Sequence, residues 1–207
     1  MIDADKRAGA SNPVSVLLPA SGESFDVPGN LYIIGTLNVA DQASVLRGGA
    51  LRRRFEFEEL MPDASLIRGD DQLGTIPDGN RGRIDLRSLM ITLNQRIEFI
   101  FGRDKILGHA FFMNIRSFED IVRALHHQII PQLQEVCDGD WHRIQLVFKD
   151  VLGDGQPNHP QIVAHEWQTS CSVLGIEDTN LEDRVRYWIV PTPELTPEAI
   201  RKVYGES

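Results

Sequence analysis

Apolar positions along this chain follow two different rhythms, and the change of rhythm divides it. Up to residue 60 the apolar blocks are short and read as strands and turns. Ile2 to Arg7 reads as the end of a helix, followed by a Gly/Ser/Asn/Pro-rich turn. A turn at Ala20–Ser24 then separates two short apolar segments, which predicts a β-hairpin with strands near Ser15–Leu18 and Ser24–Val27. Asn30-Leu31-Tyr32-Ile33-Ile34-Gly35-Thr36-Leu37-Asn38 is a continuous apolar run that closes on an amide, apolar on both faces. Such a run suits a central parallel strand covered by helices. Asp41–Arg54 reads as helical, and Phe55–Leu60 alternates with period two, a strand with one wet face near a sheet edge. Together they predict a βαβ unit.

Residues 61–84 hold Pro62, Gly69, Gly74, Pro77, Gly79 and Gly82 among charges and read as a loop or hinge. Beyond it the period becomes helical. Leu86, Leu89, Met90, Leu93, Ile97 and Ile100 recur at spacings of three and four on one face. Ser117, with Asp120 three residues on, is an N-cap for a helix carrying Ile121, Val122, Leu125, Ile129 and Leu133 inward. Pro131 should kink it. A third helix is expected from about Asp140 to Leu152, with Ile144, Val147, Phe148 and Val151 inward. Tyr187–Val190 reads as a strand, and Thr196-Pro197-Glu198 as an N-cap with proline in the first turn. The expected organisation is an α/β segment over 1–62, a linker over 63–84, and a mostly helical region over 85–207.

Composition narrows the function classes. The 207 residues are 42% hydrophobic and 25% charged, ordinary globular values that exclude a disordered or collagen-like chain. No stretch approaches the ~20 apolar residues of a membrane span. The net charge of −9 does not favour indiscriminate duplex binding, which needs a concentrated basic face. Cys137 and Cys171 cannot make a disulfide framework or a cysteine zinc cluster, so a reducing, cytoplasmic setting is expected.

The common catalytic motifs fail in turn. His165-Glu166 opens an H-E-x-x-H pattern, but position 169 is Thr. His126 and His127 point ~100° apart on a helix and cannot share a metal simply. The two cysteines lack a nucleophile's local pattern and read as buried small residues. There is no G-x-S-x-G. No G-x-x-x-x-G-K-[ST] is present, and none of the four lysines (Lys6, Lys105, Lys149, Lys202) follows a glycine. No apolar strand ends in Asp-Glu. The sequence as it stands therefore does not encode a self-sufficient P-loop NTPase, and no metal site is expected.

The most informative stretch is Asn38 to Phe55. An amide at the carboxyl end of a buried parallel strand lies where α/β folds place ligands. The helix after it ends in Arg52-Arg53-Arg54. The triplet can be a solvated basic helix end, favoured by the helix dipole. It can also project one or two arginines to a neighbouring subunit's phosphate, which the planar guanidinium binds bidentately. A third reading, DNA contact, is weakened by the acidic balance.

NLYIIGTLNVADQASVLRGGALRRRFEFEEL closely resembles the corresponding segment of McrB-type AAA+ proteins, the GTP-driven subunits of methylcytosine-specific restriction systems. The resemblance reaches back to Asp5-Lys6-Arg7 and Phe25-Asp26-Val27-Pro28. It reaches forward to Leu107-Gly108-His109-Ala110-Phe111-Phe112 and Ile129-Ile130-Pro131-Gln132-Leu133-Gln134-Glu135. It implies the C-terminal part of an AAA+ P-loop NTPase core, with a parallel sheet, followed by a helical lid. The segment matching Met1 lies just after the family's Walker B strand, so the nucleotide-cradling half and any N-terminal DNA-recognition domain are expected to be missing.

By resemblance, Asn38 is a sensor amide that orients the attacking water, and Asp41 completes the N-x-A-D element beside it. Arg53 and Arg54 resemble trans-acting arginine fingers, and Gly108 and His109 stand at the lid's nucleotide-side motif. Gln42 stands where the family usually has Arg, and Gly48 where it usually has an Asp that would help orient the arginines. The resemblance implies a ring, expected to be a hexamer, that hydrolyses GTP or ATP with magnesium and drives an McrC-like nuclease subunit. DNA would be reached through the missing domain or the partner, and no membrane is involved. The chain alone is expected to hold no cofactor and turn over no nucleotide. Two alternatives stay open: a non-catalytic assembly or regulatory subunit donating arginines in trans, and a dynein-related or MoxR-like remodeller without a nuclease.

Overall fold

Every sheet in the described residues is two-stranded and antiparallel, so the parallel sheet expected from the sequence is not what these residues form. The computed structural model describes residues 3–37, 53–175 and 182–205. The chain divides into two compact parts, Met1–Leu60 and Met61–Ser207.

In the first part, β1 (Val16–Leu17) pairs with β2 (Ser24–Phe25), Val16 opposite Phe25, at the hairpin the sequence predicts. The Ser15 hydroxyl and the Asp26 carboxylate hydrogen-bond across its open end. Ala4–Lys6 forms a single 3-10 turn where a helix end was expected. The chain then folds back: Ala8 N–H donates to Val27 O at 2.8 Å, and Arg7 Nη1 to Leu31 O at 2.6 Å.

Leu31–Leu37 is not a strand, and its side chains are uncovered, Tyr32 at 89% and Ile34 at 94% of full exposure. Phe55–Leu60 likewise makes no strand, with Leu60 86% exposed. The physical reason is that a strand needs a backbone partner, and one apolar on both faces needs a layer on each side. The described residues of this part supply neither. Of the predicted helix over 41–54, only Arg53 and Arg54 are described, in a turn; the rest, with Asn38, Asp41, Gln42 and Gly48, lies outside the described residues.

The second part begins in the stretch expected as a linker, which instead contains a hairpin of β3 (Thr75–Pro77) and β4 (Arg83–Asp85), Ile76 opposite Ile84. Ile67, Ile76 and Ile84 are fully buried. Gly69, at φ +60°, lies so close to the Thr75 backbone that a Cβ there would collide with it.

Asp85 caps α1 (Leu86–Phe101), accepting from Arg87 N at 2.9 Å and Ser88 N at 3.0 Å. Ser117 and Asp120 make the reciprocal capping box of α2 (Phe118–Ala124). A π-helical turn over Leu125–Ile129 joins it to α3 (Ile130–Val136), with Ile130 N–H reaching back to Leu125 O. Where a kink was expected at Pro131, the helix widens one turn earlier. Proline has no N–H to give, and its ring crowds the carbonyl four residues back. Asp140 caps α4 (Trp141–Phe148), which Lys149 ends in the left-handed conformation at φ 59°, short of the expected Leu152.

A ribbon of β5 (Val163–Gln168) and β6 (Arg184–Ile189) follows, interrupted by α5 (Ser170–Leu174), and α6 (Pro197–Tyr204) closes the chain. The core gathers Leu93 and Ile97 of α1, Ile121, Ile129, Leu133, Ile144, Phe148, Ile200 and Val203, all at 0% exposure. Each such side chain contributes roughly 1.5–3 kcal/mol when removed from water.

Polar ties fasten α6 to this core. Arg96 of α1 donates to Val147 O (2.8 Å) and Val203 O (2.7 Å), carbonyls in the last turns of α4 and α6. Arg201 pairs with buried Asp78 at 2.6 Å, and Tyr204 Oη accepts from Asp85 N–H at 3.0 Å. Lys202 reaches Asp150 at 2.6 Å, whose carboxylate also accepts from Ile162 N and Val163 N.

Candidate functional site

The first part presents Arg53 and Arg54 on an exposed turn. Arg54 Nε donates to both oxygens of Asp3, at 2.8 and 3.0 Å. The Arg54 guanidinium in turn holds the Asp3 carboxyl below the usual carboxylate range, so the acid stays ionised. Arg54 borders a cleft of about 380 Å³ lined by Arg7, Leu31–Ile34, Phe55 and Glu56. An exposed arginine fork at the rim of such a cleft can meet an anion through two parallel N–H bonds. Of the other predicted residues here, Asn38 and Asp41 fall outside the described ones.

In the second part, Gly108 and His109 are set by buried anchors on either side. Asn94 of α1 clamps the Leu107 backbone, accepting from its N–H (2.7 Å) and donating to its carbonyl (2.9 Å). Phe112, fully buried, fixes the other end of the 3-10 turn His109–Phe111. His109 Nδ1 accepts the Asp63 backbone N–H at 3.1 Å, which leaves its other ring nitrogen as the donor. Asp63 caps the next turn through Ser65 N at 2.8 Å, and Ser65 holds its carboxyl below the ordinary range. A cleft of about 400 Å³ runs from Met61–Ala64 along Met90, Ile91, Asn94, Gln95 and Glu98 of α1 to Ile106. His109 thus ties the entry segment to the lid motif.

Three of the other histidines and Cys137 meet neighbours inside the second part. His165 Nδ1 lies 2.9 Å from Nε2 of buried Gln145, and the His126 and His127 rings meet edge to face. Cys137 is buried, and desolvation pushes its thiol up to about 11, far from a nucleophile's range. Cys171, expected to be buried, is exposed, because α5 buries none of its five residues. Among the described residues no cluster of three or more His, Cys, Asp or Glu side chains is arranged to hold a metal ion.

Residues 85–145 match the family described as McrB, alpha-helical lid domain. The chain carries an McrB-type lid. Over 144 residues it is 30% identical to the type IV methyl-directed restriction enzyme EcoKMcrB subunit of Escherichia coli K12, an alignment covering 64% of this chain and 31% of that protein. The chain therefore spans about a third of that relative's length. The McrB-type lid contains Gly108, His109 and the Asn94 clamp, while the hydrophobic core around it continues on both sides, into β3–β4 and into α6. No helix among the described residues is long and apolar enough to cross a membrane.

The basic triplet marks Arg54 and the family motif marks His109 as candidates in the sequence. Asp3, 51 residues from its partner Arg54, and Asn94, among the polar positions of an amphipathic helix, are placed beside them by the fold. Neither leaves a local signature.

Proposed function

We propose that this chain is the sensor, arginine-finger and lid portion of an McrB-like AAA+ NTPase that hydrolyses GTP or ATP and drives a partner nuclease in modification-dependent DNA restriction. The observation that carries the reading is the pairing, in one chain, of an McrB-type lid with an exposed Arg53-Arg54 turn whose second arginine is held by a carboxylate. The described residues offer a guanidinium for a phosphate but no metal-ligand cluster and no P-loop sequence. They fit one edge of a nucleotide site rather than its cradle. The bound nucleotide and its magnesium would supply the reactive phosphoryl group, held elsewhere in a ring.

This chain's own contribution is then electrostatic. Arg54, with Arg53 beside it, neutralises charge on the phosphate of an adjacent subunit, an effect worth ~10³–10⁵ in rate where arginine fingers act. His109, its Nδ1 occupied by Asp63 N–H, directs its remaining ring nitrogen from the lid motif. The ring, taken as a hexamer, the McrC-like partner and the choice between GTP and ATP belong to the same proposal.

The test is steady-state hydrolysis of both nucleotides by the complete ring protein carrying this sequence. Arg54→Ala should lower kcat by ~10³ or more with KM little changed. The isolated 207-residue chain should turn over neither nucleotide. Turnover by the isolated chain, or full activity of the Arg54→Ala ring, refutes the assignment. If the chain instead works as a trans-acting subunit, adding it to a nucleotide-holding neighbour should stimulate that neighbour's rate, and the Arg54→Ala chain should not.

A further inference from the structure

We infer that Asp3 is the positioning residue for Arg54, fixing the direction in which the guanidinium is offered. The inference rests on the reading of Arg54 as an arginine that acts on a neighbour's phosphate. Both carboxylate oxygens grip a single nitrogen, Nε, at 2.8 and 3.0 Å. The end-on edge of the fork, made by Nη1 and Nη2, is the pair of donors whose spacing matches two phosphate oxygens. A carboxylate on the Nε side leaves that edge out of the pair and restricts rotation of a long side chain that otherwise has several rotamers.

Asp3 is itself held for the task. It stands at the N-cap of the Ala4–Lys6 turn, yet its side chain makes no capping bond; only its backbone carbonyl serves the turn, accepting from Lys6 N at 3.0 Å. An N-cap aspartate ordinarily gives its oxygens to the first turn. Here they go instead to an arginine 51 residues away. The turn is tied down in turn by Val14 N–H on Lys6 O (3.0 Å), Ala8 N–H on Val27 O (2.8 Å) and Arg7 on Leu31 O (2.6 Å). Lys6 lies close enough to add to the field on the carboxylate but pairs with Asp5 at 3.3 Å.

The pair is a poor stabiliser of the fold. Its side chains are 39% and 32% exposed, and ion pairs so open to water contribute little. Its removal should therefore reveal orientation rather than unfolding.

The experiment is kinetic, on the complete ring protein carrying this sequence, with GTP and ATP. Asp3→Asn, which keeps shape and removes charge, should lower kcat roughly 10- to 100-fold at unchanged KM, the scale of a misplaced catalytic group. Asp3→Glu should recover much of the loss. The double variant Asp3→Asn/Arg54→Ala should be no slower than Arg54→Ala alone, because the acid acts only through the arginine. Size-exclusion elution checks that each variant still assembles. Wild-type kcat in Asp3→Asn, or effects that multiply in the double variant, overturn the inference while a slow Arg54→Ala leaves the finger reading standing. An Arg54→Ala ring with wild-type kcat removes the finger reading and this inference with it.

Discussion

The two parts of this chain contain similar apolar side chains and dispose of them in opposite ways. In the first, Leu17, Tyr32, Ile34 and Leu60 are between 72% and 94% exposed, and among its described hydrophobic residues Val27 is the one buried. In the second, Leu93, Ile97, Leu133, Phe148 and Val203 are completely covered. The difference is one of layers rather than composition. The second part stacks helices and short hairpins around one core, so the inward apolar faces of its longer helices meet one another. The first offers an apolar run, Leu31–Leu37, without a neighbouring strand or covering helix among its described residues. One region is a fold; the other presents surfaces fit to be covered.

The second part should respond to single substitutions as a cooperative domain does. All three tryptophans, Trp141, Trp167 and Trp188, lie in it, so tryptophan fluorescence in urea reads its unfolding alone. The largest effect is expected at Lys202. Its ammonium pairs with Asp150 at 2.6 Å, Asp150 is fully buried, and desolvation pushes each group away from its charged form. Lys202→Met strands the carboxylate, which should cost about 3–5 kcal/mol. A loss below ~1 kcal/mol would show that α6 is not part of the cooperative unit. Next comes Leu93→Ala at the centre of α1, fully buried, which should cost about 2–5 kcal/mol through lost burial and the cavity left behind. A smaller loss would mean the core can collapse around the missing side chain.

The same contrast explains how much the sequence discloses. The helices of the second part are legible because their apolar residues keep a helical period and their starts carry chemical signals: Ser117 with Asp120, Asp140, and Pro197 in the first turn of α6, where Thr196 holds the N-cap position without a side-chain capping bond. The β3–β4 hairpin was not, because strands of three residues set among glycines and prolines have too little length to show a period. β5, with His165, Glu166 and Trp167 in its middle, lacked alternation for the same kind of reason: one edge of a two-stranded ribbon is wet on more than one face. In the first part the apolar run Leu31–Leu37 carried a strong strand pattern, but a pattern states what a segment can bury, and burial needs a partner. The candidate site divides likewise. Arg54 was visible as one of three consecutive arginines, whereas Asp3 acquires its meaning only where the folded chain brings it to Nε.

The smallest expected effect tests the contrast from its other side. Ile34, 94% exposed, should tolerate Ile34→Ser with a change of no more than about 0.5 kcal/mol in the stability of the 207-residue chain, as surface substitutions usually do. Because no tryptophan lies in the first part, the measurement is the protection of its backbone amides from hydrogen exchange, above all Ala8, whose N–H is bonded to Val27 O. Unchanged protection fits an uncovered apolar run. A drop of tenfold or more would mean that Ile34 is packed in solution, and that the first part closes a core of its own.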